Sequence, residues 1–187
     1  EAINFGPGAP RRRTSPRNWA KPKAWNAAHG KFFAQHGRRQ RVFCSSLSDV
    51  FDNQVPIEWL ADALEVIRTT PNLDWQLLTK RIGVARSRLS QANEFVLGNW
   101  PADDAEPLSR WLTDWLEHSN PPANVWLGAT IVNQEEAERD ILKLFSVPAV
   151  KWFLSMEPLL GPVDLTLDYL TTKLGVYPFK SLPDEHR

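Results

Sequence analysis

The stretch VKWFLSMEPLLGPVDL (150–165) decides the fold. It runs as a mostly apolar strand from Val150 to Leu154, then turns polar at Ser155 and Glu157 and stops at Pro158. The same abrupt switch occurs in RVFCSSLSD (41–49) and WQLLTKR (75–81), and NVWLGATI (124–131) reads as a further strand. Short apolar runs that end on polar groups fit the interior strands of a parallel sheet, where both faces are covered and ligand-handling groups sit at the carboxyl ends. Proline then stops the ladder, because it has no N–H to give.

Helical patterns lie between these strands. Pro56 suits the first turn of a helix over PIEWLADALEVIR (56–68), whose Ile57, Leu60, Ala61, Leu64 and Ile67 share one face. A second helix is expected over 82–97, with Val84, Ala85 and Leu89 inward. NWPADDAEP (99–107) reads as a loop, and LSRWLTDWLEH (108–118) as a helix with an aromatic stripe. Asn133 and Glu136 have capping-box spacing for a helix over 134–146, which Pro148 breaks. Strands alternating with helices of this length predict an α/β fold: a parallel sheet of repeated βα units, similar to part of a TIM barrel. The expected organisation is a basic arm over 1–40, a βα-repeat domain over 41–170 and a tail of unassigned role over 171–187.

The strand-end rule collects Ser45, Ser46 and Asp49 from the first strand and Thr79, Lys80 and Arg81 from the second. Thr130 and Asn133 come from the third, Ser155 and Glu157 from the fourth. Ser46, Asp49, Thr79, Lys80, Thr130 and Glu157 are expected to converge on one face at neighbouring strand ends. Plainer roles compete with this reading. Ser46, Ser48 and Asn133 suit helix N-caps, and Lys80 with Glu157 could form a structural ion pair. Asp49, Asp52 and Asn53 offer oxygen ligands for Mg²⁺, but capping of the helix near Pro56 is the expected role, and no metal site is assigned.

The 187 residues are 42% hydrophobic and 24% charged, as in an ordinary globular domain. No run approaches a membrane span, so a cytoplasmic protein is expected. One cysteine, Cys44, excludes an internal disulfide framework and any multi-cysteine metal site built from these residues. Cys44 itself reads as core, and His29, His36, His118 and His186 have no ligand spacing. The zero net charge hides a split. Residues 1–43 hold ten Lys/Arg against one acid, and residues 44–187 hold twelve against twenty-one. Arg11, Arg12 and Arg13, interleaved downstream with Trp19 and Trp25, could track phosphates and stack bases. The competing reading folds this arm onto the acidic body.

The order FCSSLSDVFDNQVP (43–56), WQLLTKR (75–81), NVWLGATIVNQ (124–134) and FLSMEPLLGPVDL (153–165) resembles a family of phage and prophage proteins named after phage gene products thirty-seven and sixty-eight. Together with the arm over 5–26, the resemblance spans about residues 5–166. That family is similar to radical S-adenosylmethionine proteins. The resemblance implies a barrel in which Lys80, Arg81 and Glu157 line a cofactor or substrate pocket. Two family features are missing from these residues: the upstream three-cysteine motif of a [4Fe–4S] cluster, and a Gly-Gly-Glu-Ser-Gly-like strand end. The sequence resembles the middle of such a barrel. S-adenosylmethionine and a cluster are therefore expected only if further segments supply their ligands. Two functions follow: part of a radical-SAM-like enzyme acting on or near nucleic acid, or a non-catalytic module that engages nucleic acid or a protein partner through its arm.

Overall fold

The computed structural model describes residues 11–44 and 49–175 (for Leu167 the backbone alone). Two helices, α1 (Pro16–Ala27) and α2 (His29–His36), precede the first strand, β1 (Gln40–Cys44). There follow α3 (Ile57–Arg68), β2 (Leu73–Thr79), α4 (Ile82–Asn99), α5 (Ala102–Leu116), β3 (Val125–Thr130), α6 (Gln134–Phe145), β4 (Lys151–Ser155) and α7 (Leu167–Thr172). The four strands form one parallel sheet in the order β1-β2-β3-β4. Each strand pairs with its predecessor, so every crossover steps the same way. With the usual right-handed crossover, such an order keeps the connecting helices on one side of the sheet. It is the order of consecutive strands in a barrel.

Burial confirms the one-sided layering. Along β2, Leu73, Trp75, Leu77 and Thr79 are buried, while Asp74, Gln76 and Leu78 between them are only half-buried. The buried set joins Val125, Leu127 and Ala129 of β3 in a core with Leu60, Leu64 and Ile67 of α3 and Leu89 and Val96 of α4. Val42 and Cys44 of β1 and Trp152 and Leu154 of β4 pack against the same core. A smaller cluster forms where the chain after β4 turns back along α6. There Ile131, Ala137 and Ile141 meet Met156, Val163, Leu165 and Leu170.

Buried polar groups tie the layers. The Asn124 amide, just before β3, donates to the carbonyls of Ile67 (3.0 Å) and Thr70 (3.3 Å) at the end of α3. Trp115 of α5 donates from Nε1 to the Pro148 carbonyl (2.6 Å). Asn133 caps α6 by accepting from the Glu136 N–H (2.9 Å), as its spacing predicts. Glu136 reaches back to the N–H of Val132 rather than to that of Asn133 itself (3.1 Å).

Two expectations change. The segment 99–107 is not a loop: α5 begins at Ala102 and carries Pro107 inside it. The missing N–H sits near the helix start, where it removes one bond only. Asp103 and Asp104 suit the positive N-terminus, and burial of Ala105, Leu108, Leu112, Trp115 and Leu116 fixes the helix. Pro56 stands at the N-cap of α3, one residue before the expected first turn. Within the arm the chain forms α1 and α2, and α7 runs from Leu167 to Thr172.

Candidate functional site

The carboxyl edge of the sheet is organised by Asp49, in the loop after β1. Its Oδ1 accepts from Thr79 Oγ1 (2.7 Å) and from the N–H of Phe51 (3.0 Å). Its Oδ2 accepts from the Lys80 N–H (2.9 Å) and faces Arg81 Nη1 at 3.4 Å. Thr79 Oγ1 in turn accepts from the Arg81 N–H (2.8 Å). Nearby, buried Asp52 pairs with Arg11 (2.7 Å), stands 3.7 Å from Arg81, and accepts from the Gln54 N–H (3.0 Å). Arg88 of α4 donates to the Val55 carbonyl (2.7 Å). Burial pushes the Arg88 guanidinium below its ordinary value, and the Asp52 charge opposes that shift. The two carboxylates thus clamp the β1–α3 loop to the end of β2. They do not cap α3, whose N-cap makes no side-chain bond. Among the described residues no group of three or more His, Cys, Asp or Glu could hold a metal ion.

The expected cleft set therefore divides. Lys80 and Glu157 lie at the same carboxyl edge, after neighbouring strand ends on either side of β3, and both are exposed. The competing reading, a structural ion pair between them, is not realised. Thr130 of β3 is paired in register with Ser155 of β4 and is nearly buried. Thr79 has the opposite parity: it belongs to the buried row of β2 and links Asp49 to Arg81 instead of lining a cleft. Asp49 is likewise occupied by its four partners. Ser45 and Ser46 lie outside the described residues.

The second side of the sheet carries a surface that the strand-end rule overlooks. Register aligns Phe43, Gln76, Trp126 and Lys151 in one row across β1 to β4, with Leu78, Gly128 and Phe153 in the next. Phe43, Leu78, Trp126 and Phe153 belong to neither core cluster, and Phe43 is 45% exposed. Arg41 holds its guanidinium 4.8 Å from the Trp126 ring centre and Lys151 its ammonium 4.0 Å from it. Asp74, in register with Arg41, faces Arg39 at 3.8 Å. A Cβ at Gly128 would run into the Phe153 ring, which lies across β3 there.

The arm folds onto the body. Arg11 pairs with Asp52, Arg13 pairs with Asp62 of α3 (2.6 Å) and sits 4.2 Å from the centre of the Trp19 ring. Asn26 of α1 accepts from the Asn72 N–H (2.9 Å) at the start of β2. Arg12 is exposed, Trp19 is half-buried and Trp25 is 36% exposed. The cations of α1 and α2 remain on the outside: Arg17, Lys21, Lys23 and Lys31 are all exposed.

A family model described as "Protein of unknown function (DUF5131)" matches residues 1–175. The chain belongs to this family. No curated protein and no solved structure matches it. In this member of the DUF5131 family the single cysteine, Cys44, packs against the core. No helix among the described residues is long and apolar enough to cross a membrane.

Proposed function

We propose that the chain is the βα centre of a radical-SAM-like phage protein and serves it as a nucleic-acid-binding module. The barrel-like strand order and the motif-bearing strand ends support the first half of this reading. The observation that carries the second half is the segregation of charge. Ten of the cations fall within residues 1–43, and α1 and α2 present Arg17, Lys21, Lys23 and Lys31 to solvent. Such a face neutralises phosphates without regard to sequence.

The test is retention of DNA and RNA across a salt series. Binding should weaken steeply with salt, with a log–log slope of about −0.9 per phosphate neutralised on duplex DNA. Replacing Lys21, Lys23 and Lys31 with glutamate should make that slope shallower by about two to three such steps. Absence of retention even in low salt would overturn the reading.

The exposed Lys80, Arg81 and Glu157 at the carboxyl edge favour a second reading, in which the strand ends line the pocket of an enzyme. Its cluster ligands would have to come from another segment or chain. Substitution of Glu157 or Lys80 then abolishes turnover of the intact assembly while leaving nucleic-acid retention unchanged.

A further inference from the structure

We infer that the carboxyl end of β2 carries a phosphate-binding site built from Arg11, Lys80 and Arg81. The proposal rests on the second reading above, in which the strand ends line a pocket, and it gives that pocket a ligand class. An oxyanion site needs cations that are held in place while most of their donors stay open. The guanidinium groups at this strand end are in that state.

The acids lie beneath and the cations above. Asp52 is 3% exposed, and Asp49 is fixed by Thr79 and by the N–H groups of Phe51 and Lys80. Arg81 makes one long bond to Asp49 (3.4 Å) and stands 3.7 Å from Asp52, beyond hydrogen-bond reach. A guanidinium has five N–H donors, and the Arg81 side chain is 41% exposed. Arg11 bonds Asp52 at 2.7 Å, yet its Nε is buried without a partner, as is Nε of Arg88. Three guanidinium groups thus share two carboxylates, and Lys80 adds an exposed cation at the same strand end. The Arg88 value is still lowered by burial although Asp52 opposes the shift, as expected where negative charge falls short. Helix α4 starts directly after Arg81, with no side-chain cap and no acid in its first turn, so its positive end adds to the excess. Glu157 follows β4, two strands from β2, about 10 Å at the usual strand spacing. A phosphate group supplies negative charge and several acceptor oxygens at once, and arginine forks match it. That chemistry is common to a phosphate monoester and to the backbone phosphodiester of a strand reaching over from the arm.

The experiment is a calorimetric titration of the intact chain with inorganic phosphate, against sodium chloride at equal ionic strength. Saturable phosphate binding is expected, and Arg81→Gln should weaken it about tenfold or more, the worth of a charge-assisted bond. Lys80→Gln should weaken it in the same direction. Its side chain is exposed, so this variant tests the site even if Arg81→Gln fails to fold. Two single-stranded oligonucleotides of one sequence, with and without a 5′ phosphate, then identify the source. Preference for the phosphorylated strand, lost in Arg81→Gln, marks a monoester site. Equal affinities that both fall in Arg81→Gln mark a backbone site. No phosphate binding above the chloride baseline, or binding that neither variant moves, overturns the proposal. The pocket reading has its own test in the Glu157 substitution, and retention through α1 and α2 has its own in the salt series, so each can fail alone.

Discussion

Leu77 and Leu78 are adjacent in β2 and belong to different worlds. Leu77 is fully buried between the sheet and α3 and α4, while Leu78 lies half-exposed beside Gly128. The whole sheet repeats this contrast. One face is apolar, closed and tied by Asn124 and Trp115, with Trp75 and Trp152 among its packed side chains. The other is aromatic and cationic, with Trp126 between Arg41 and Lys151. The closed face holds the fold together, and the side chains of the second face belong to neither core cluster among the described residues. The sharpest way to break this comparison is to truncate both leucines. Leu77→Ala should cost about 2–5 kcal/mol, because it empties packed space that the surroundings refill only in part. Leu78→Ala should cost less than about 1 kcal/mol. Urea unfolding with a constant denaturant slope measures both. Equal losses would mean that the open face is core.

Asn124 probes the closed face through polarity instead of volume. Its amide is buried and serves two carbonyls of the α3 terminus. Asn124→Ala strands both acceptors and should cost about 1–3 kcal/mol in the same assay. Gln76→Ala, on the half-buried row of the other face, should be nearly neutral.

The fold was legible where side chains change class along the chain. The switches at Cys44–Ser45, Leu78–Thr79 and Leu154–Ser155 placed three strand ends within about a residue or two, a period-3.6 face placed α3, and the capping-box spacing of Asn133 and Glu136 with Pro148 placed α6. Helices α1 and α2 were not legible, because neither has a clear apolar face and α1 contains Pro22. Helix α5 was partly hidden, since Pro101, Asp103, Asp104 and Pro107 together look like a loop. The candidate site was readable by position but not by direction. Lys80 and Glu157 do share the carboxyl edge, yet Thr79 points to the core and Asp49 is used up by the chain's own donors. The open face escaped because the rule that parallel sheets are covered on both sides hides the alternation in QRVFC and KWFLS. Read with period two, Arg41 with Phe43, and Lys151 with Phe153, signal that face.

Gly128 and Phe153 test how finely the open face is built. Gly128→Ala drives a methyl into the Phe153 ring, whose outer edge can swing away. The single change should cost about 1 kcal/mol, and the same change in a Phe153→Ala background should cost nothing. A double-mutant cycle reads the difference as their coupling. Additive effects would show that the ring does not rest on the glycine.

The smallest expected effect returns to the helix side and to charge. Burial alone pushes the Asp140 carboxyl of α6 upward, but hydrogen bonds from Arg139 (2.6 Å) and Lys143 (3.0 Å) outweigh it and leave the group below its ordinary value. The linkage has a definite sign. A carboxyl whose folded value is depressed stabilises the protein fully above its unfolded value of about 3.9. That stabilisation disappears as pH falls through the lower, folded value. Asp140→Asn should therefore cost up to about 1 kcal/mol at neutral pH, limited because Arg139 and Lys143 are solvent-exposed. The mutant and the parent should begin to converge in stability as pH falls below about 4, and meet below the folded value. Lys151→Met on the open face should show no such convergence, because its ammonium rests on an aromatic ring. Stability measured against pH for the two variants separates the faces by mechanism. A constant gap for Asp140→Asn across the acid range would show that this carboxylate contributes by shape and not by charge.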